Sequence, residues 1–175
     1  MNVVALMKSK FLKPVLKEEN IEMKSKTLWL TSGAPASGKT TFIKENLPQI
    51  PYVSRDEIRF SLIQDDEDYF AHENEVFREF VKKIQNTLNT EGKCVADATH
   101  LNERSRNKLL DRLNLDGVEI IVISFKTPLE VLLERNENRT GRSYVPRSVI
   151  RRMYYQFEPA HYGEKYEYKD IIIKE

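Results

Sequence analysis

The sequence predicts an α/β domain with a parallel five-stranded sheet, flanked by helices and covered by an arginine-rich lid. Three observations carry the prediction. β-prone apolar runs alternate with longer runs of helical periodicity. The stretch Gly33-Ala34-Pro35-Ala36-Ser37-Gly38-Lys39-Thr40 joins the first such strand to the first helix. A polar segment holding Arg135, Arg139, Arg142 and Arg147 leads into the last helix.

The elements follow in order. Thr27 to Thr31 is apolar and β-rich, so it forms the first strand. Thr41 to Leu47 reads as a helix. Pro48 and Pro51 bracket a turn, and Tyr52-Val53-Ser54 is a short second strand. Arg55 opens a helix through about Ile63. Asp65-Asp66-Glu67-Asp68 starts the next helix, because acids suit a helix N-terminus. Along it Phe70, Val76, Phe77, Phe80, Val81, Ile84 and Leu88 recur at helical spacing up to Gly92. Cys94-Val95-Ala96 is a third strand, ending at Asp97-Ala98-Thr99-His100. Asn102 caps a helix that carries Leu109, Leu110 and Leu113. Asp116-Gly117 is a turn before Val118 to Phe125, an apolar run suited to a central, buried strand. Pro128 begins a helix through Arg135, in keeping with its place in a first turn. Residues 136–145 form the loop or lid, and Pro146 opens a further helix through about Tyr155. Tyr168 to Lys174 is the fifth strand.

The chain of 175 residues suits one domain, residues 27–175, preceded by an extension over residues 1–26. Within that extension a short basic amphipathic arm around Phe11, Leu12, Val15 and Leu16 competes with a plain tail. A net charge of +1 supplies no global basic field, so a polyanion would need a local patch. The single cysteine, Cys94, cannot form an internal disulfide and reads as a small buried residue. No apolar run is long enough for a membrane span and no signal-peptide pattern opens the chain. A reducing, cytoplasmic setting is expected. The oligomeric state is left open, a homo-oligomer included.

The glycine-framed stretch has the residue types that a phosphate cradle needs. Backbone N–H groups must curl around an anion, so Gly33 and Gly38 stand where side chains are excluded. Ala34, Pro35, Ala36 and Ser37 complete the loop, and Thr41 continues into a helix whose N-terminus favours an anion. Lys39 has the reach for the β- and γ-phosphates of ATP or another nucleoside triphosphate, and the Thr40 hydroxyl suits Mg²⁺. An ordinary Gly/Pro turn would not need every one of these positions filled.

Ligands of parallel sheets bind at the carboxyl ends of strands, which puts Gly33, Asp56, Asp97 and the arginine segment on one rim. Asp56 can orient an acceptor hydroxyl and take its proton. Arg59, one helical turn on, can face the same way and bind an acceptor phosphate. A helix-start acid paired with a surface arginine would look the same in sequence. Asp97 ends the third strand, where an acid can stand beside Mg²⁺ or its waters. Thr99 and His100 share that rim, and a rim histidine is more often surface than base. Guanidinium groups on a lid can stabilise a transferring phosphoryl group and shield it from water; docking nucleic-acid phosphates is a second use. The C-terminal aromatics Tyr154, Tyr155, Phe157, Tyr162, Tyr166 and Tyr168 allow base stacking, although packing explains most of them.

Taken together, the P-loop, Ser54-Arg55-Asp56-Glu57-Ile58-Arg59, Asp97 with Leu101-Asn102-Glu103-Arg104, Arg135-Asn136 through Val145-Pro146 and Arg152-Met153-Tyr154 resemble, in order and spacing, the kinase domain of bacteriophage 5′-polynucleotide kinases. The resemblance covers about Thr27 to Gly163. It implies phosphoryl transfer from ATP to the 5′-hydroxyl of DNA or RNA. Asp56 would be the general base and Arg59 and Thr99 acceptor contacts. Lys39 and Thr40 would hold the donor phosphates and Mg²⁺, with Asp97 beside the metal. Arg139 would stabilise the transition state, supported by Arg135. Two features depart from that family: Asp97-Ala98-Thr99-His100-Leu101 is one residue longer than its Asp-Thr-Asn-Leu pattern, and a longer lid makes Arg142 a rival of Arg139. Similar P-loop sequences occur in kinases of tRNA-linked, modified-base and small hydroxylated acceptors. A nucleotide-hydrolysing switch is the reading from another class.

Overall fold

The structure, a computed structural model, describes residues 26–64, 67–161 and 163–174. β1 (Lys26–Ser32), β2 (Tyr52–Ser54), β3 (Lys93–Asp97), β4 (Val118–Lys126) and β5 (Lys169–Lys174) form one sheet in the order β2-β3-β1-β4-β5. Every neighbouring pair is parallel, with Leu28 beside Cys94 on one flank and Ile120 on the other. The helices are α1 (Lys39–Asn46), α2 (Arg55–Leu62), α3 (Glu73–Glu91), α4 (Glu103–Leu110), α5 (Leu129–Glu137) and α6 (Arg147–Tyr155). This is a P-loop kinase fold. The apolar run over 118–126 lies inside the sheet, but the centre belongs to β1.

Alternation along β1 sends its side chains to opposite faces. Leu28 and Leu30 meet Val76, Phe80, Ile84 and Leu88 of α3 and Leu109 and Leu110 of α4. Trp29 packs on the other face with Phe42, Ile123 and Phe125. Each of these buried side chains contributes roughly 1.5–3 kcal/mol, and Phe80→Ala would cost about 3–5 kcal/mol. A third cluster joins Ala34 and Ala36 to Leu129, Leu132, Leu133 and Ile150, and so seats the phosphate loop on α5 and α6.

Helix starts follow local chemistry. The Glu57 N–H donates to Ser54 Oγ at 3.3 Å ahead of α2. At α4 the Ser105 N–H donates to Asn102 Oδ1 and the Asn102 N–H donates to Ser105 Oγ, both at 3.0 Å, a reciprocal cap. That helix ends at Leu110, so Leu113 lies beyond it.

One boundary departs from expectation. α3 begins at Glu73, and Glu67 to His72 form turns instead of its first helical residues. Their acids hold the turns: Glu67 Oε2 accepts the Gln64 N–H and Asp68 Oδ1 accepts the Phe70 N–H, both at 2.8 Å. Short acidic side chains favour such local bonds over helix interiors. Phe70 therefore leaves the apolar face of the helix and is 55% exposed. Asp65, Asp66 and Tyr162 lie outside the described residues, as does the segment around Phe11 to Leu16. Among the described residues no helix is long and apolar enough to cross a membrane.

Candidate active site

A cavity of about 830 Å³ opens at the carboxyl ends of β1, β2 and β3. Pro35 to Thr41 form its floor, Asp56 and Arg59 one wall, Asp97 and Thr99 its back, and Arg139 and Arg142 its lid side. Residues more than a hundred positions apart thus meet because three strand ends share one rim.

The loop geometry is specific. A Cβ on Gly33 would stand 2.8 Å from Ser37 Oγ and 3.0 Å from Phe125 Cβ. Gly33 N–H donates to the Thr99 carbonyl at 2.8 Å, which ties the loop to the end of β3. Gly38 takes φ 84° where α1 begins. Ala36 adopts φ 67° without being glycine, a left-handed conformation that costs about 1–2 kcal/mol, and its methyl is buried in the cluster with Leu129 and Ile150.

Lys39 Nζ lies inside the loop, donating to the carbonyls of Gly33 at 3.0 Å and Ala34 at 2.8 Å. Burial lowers its pKa to about 8, against the opposing pull of Asp97 and Asp56. Thr40 Oγ1 donates to Asp97 Oδ2 at 2.8 Å, and Thr31 Oγ1 lies 3.1 Å from Asp97 Oδ1. Burial raises the Asp97 pKa, while Lys39 and the two threonine hydroxyls oppose it. A hydroxyl and one carboxylate side by side, without a full protein cage, suit Mg²⁺, which keeps waters and shares phosphate oxygens. Among the described residues no cluster of three or more His, Cys, Asp or Glu side chains competes for that role.

The wall around Asp56 is a network. Asp56 is 65% exposed at its side chain, while Arg59 is almost fully buried. Arg59 Nη1 donates to Asp56 Oδ1 at 2.5 Å, and Tyr69 OH donates to the same oxygen at 3.0 Å. Glu73, the first residue of α3, accepts from Arg59 Nη2 at 2.8 Å and from Arg55 Nη2. The Arg59 guanidinium lies 4.5 Å from the Tyr69 ring centroid. Burial and Asp56 push the Tyr69 hydroxyl up to about 12, so it stays a donor. Arg59 is thus committed to protein groups as well as lining the cavity. Glu73 and Tyr69 had no assigned role in the sequence, and Arg55 was only part of a pattern. Glu73 sits 14 residues from Arg59, beyond the reach of helical spacing rules.

A model of the family described as "AAA domain" matches residues 28–160. The chain belongs to this AAA domain family. The L-seryl-tRNA(Sec) kinase of Methanococcus maripaludis is 28% identical over 155 residues, covering 83% of this chain and 58% of the relative. The chain therefore spans little more than half the length of that curated protein. A chain of the Pnkp1/Rnl/Hen1 RNA repair complex superposes with a TM-score of 0.67 at 23% identity, covering 80% of this chain and 46% of its own. A sugar kinase from Janibacter sp. superposes at 0.57 with 15% identity, over 86% of this chain and 85% of its own. These structural likenesses are likenesses of fold.

Other residues of this AAA domain lie elsewhere than the sequence suggested. His100 is neither surface nor base: it is 4% exposed, and its Nδ1 donates to the Thr31 carbonyl at 2.8 Å. Burial lowers its pKa to about 4, so the ring is neutral. Its φ of 34° turns the carbonyl toward Ser32 Oγ at 2.8 Å and Arg106 Nη1 at 3.3 Å. Arg135 is exposed on α5 and does not line the cavity, so the predicted nucleotide contact is not brought to the site. Arg139 and Arg142 both line the cavity, and Arg142 Nη1 reaches the Phe60 carbonyl of α2 at 3.5 Å. Arg147 pairs with Glu137 instead, outside the cavity. Among the C-terminal aromatics, Tyr154, Tyr166 and Tyr168 pack on the core, while Tyr155 is exposed. Cys94 is buried as expected, and burial raises its thiol to about 12.

Proposed function

We propose that the protein is an ATP-dependent kinase that phosphorylates the 5′-hydroxyl of a nucleic acid. The observation that carries this reading is the shared cavity: the exposed Asp56 carboxylate and the Lys39–Thr40–Asp97 floor line the same space. A switch that only hydrolyses nucleotide has no use for a carboxylate prepared for an acceptor. In this reading the loop from Gly33 to Thr41 and Lys39 bind the triphosphate, and Thr40 and Asp97 hold Mg²⁺. ATP supplies the phosphoryl group, and the metal neutralises charge on it.

Asp56 is the general base. Its Oδ1 holds Arg59 and Tyr69, and we assign Oδ2 to the acceptor hydroxyl and its proton. Arg59 and Tyr69 fix the carboxylate's direction, and Thr99 supports the acceptor side. Arg139 and Arg142 provide the cationic cover that excludes water from the transferring group. The test is transfer from labelled ATP to 5′-hydroxyl oligonucleotides of DNA and RNA. Full transfer by Asp56→Asn would remove the general-base role.

The M. maripaludis relative favours a second reading, a hydroxyl carried on an aminoacyl-tRNA. A panel of oligonucleotide, seryl-tRNA and sugar acceptors separates the two. Steep loss of acceptor binding with salt would accompany either polyanion and not a sugar.

A further inference from the structure

We propose that the acceptor presents a nucleobase to an aromatic wall centred on Phe70, beside Asp56. The proposal rests on the kinase reading of the site and adds the substrate group that the wall would recognise.

The wall is tied to the reacting carboxylate by a bond. Tyr69 OH donates to Asp56 Oδ1 at 3.0 Å. The Tyr69 ring meets Phe70 edge-on at 4.9 Å and 87°, and Phe60 at 6.2 Å and 67°. Three rings therefore form one cluster, and all three line the cavity. Arg59 covers Tyr69 at 4.5 Å and stands 5.8 Å from the Phe70 centroid. Tyr69 is spent on this internal packing. Phe70 keeps more than half of its surface open, at 55%.

An exposed phenylalanine is ordinary on a mobile surface turn. This one is held. Its own N–H donates to Asp68 Oδ1 at 2.8 Å, and its carbonyl accepts the Glu73 N–H at 3.2 Å, where α3 begins. Glu67 and Asp68, close before it in sequence, are engaged in bonds to the turn itself. On the lid side Tyr144, 44% exposed, lines the same cavity, with Val149 and Met153 beneath. A bare sugar is read by polar donors and acceptors. A planar, apolar wall with a cation at its edge instead suits the π-face of a base.

The sequence allowed base stacking by the C-terminal aromatics, but Tyr154, Tyr166 and Tyr168 pack on the core and none of the described C-terminal tyrosines lines the cavity. The ring at position 70 reached the cavity because its turn is not part of a helix.

The experiment compares two 5′-hydroxyl oligonucleotides: one with an ordinary 5′-terminal nucleoside, one with an abasic 5′-terminal sugar. Base stacking of the usual strength gives the abasic acceptor a KM about tenfold or more above the ordinary one, with kcat little changed. Phe70→Ala should bring the two KM values together, and Phe70→Trp should keep them apart. Equal KM values in the wild-type enzyme overturn the proposal alone. So does an unchanged KM ratio in Phe70→Ala. Transfer to neither oligonucleotide, with transfer to a sugar, overturns the polynucleotide reading and this proposal with it.

Discussion

Asn136 and Val145 form a reciprocal pair: Asn136 Nδ2 donates to the Val145 carbonyl at 2.8 Å, and the Val145 N–H donates to Asn136 Oδ1 at 3.0 Å. Asn136 is fully buried at the end of α5. One side chain therefore closes the base of the loop that carries Arg139 and Arg142. Replacing it with leucine keeps the branched shape, though not the volume, and removes the partners of both Val145 backbone groups. We expect a stability loss of about 1–3 kcal/mol in urea denaturation. Proteolysis within residues 137–144 should quicken, and kcat should fall more than KM rises. A variant with an intact lid by proteolysis and a full kcat would remove the closing role of Asn136.

Glu73 accepts from both Arg55 and Arg59, and through Arg59 it supports the Asp56 carboxylate without touching it. Glu73→Gln retains the shape and weakens both charged bonds. A charge-assisted bond of this kind is worth about 1.5–3 kcal/mol, so kcat/KM should drop roughly 10- to 100-fold. Steady-state kinetics with the acceptor varied will measure it. Unchanged kinetics would mean that Arg59 is held well enough by Tyr69 and Asp56.

His100 supplies a pH prediction. Burial depresses its folded pKa to about 4 from the ordinary imidazole value of 6.5, with Arg55, Arg106 and Lys39 pushing the same way and the Thr31 bond opposing. The unfolded chain then binds a proton that the folded protein refuses. Stability is fully present above the unfolded value and is lost as pH falls toward the folded one. The loss should reach about 3 kcal/mol near pH 4. Thermal unfolding between pH 7 and pH 4.5, beside His100→Gln, isolates this contribution; equal slopes for the two proteins would refute it.

Arg106 and Glu164 form a buried pair, with Arg106 Nε 3.1 Å from Oε2 and Nη2 2.5 Å from Oε1. Removing one charge strands the other, so Glu164→Gln should cost about 3–5 kcal/mol. Joint replacement, Arg106→Met with Glu164→Leu, should recover much of the loss. Urea midpoints of the single and double variants check both statements.

What the sequence revealed follows the range of its signals. The phosphate loop is local: Gly33, Gly38, Lys39 and Thr40 each answer to a neighbour within a few residues. The strand alternation that buries Leu28 and Leu30 is likewise a short-range pattern. The start of α3 was misread because acids serve a helix N-terminus and a turn equally well. Glu73 could not be assigned, since its partners Arg55 and Arg59 lie in another helix. His100 looked like a rim residue, and only the sheet shows that its ring turns inward against Phe80. Arg135 and Arg139 were grouped by composition, while the helix end at Glu137 separates them.

The Arg106 pair also links the two ends of the described fold. His100, whose carbonyl meets both Ser32 and Arg106, braces the phosphate loop from behind. Arg106 in turn is held by the Glu158 carbonyl and Glu164. A chain lacking the residues from Glu158 on would keep Lys39, Asp56, Asp97, Arg139 and Arg142 but leave the buried Arg106 without its counter-charge. The segment after α6 is therefore tied, through Arg106 and the His100 carbonyl, to the strand end that carries the nucleotide cradle.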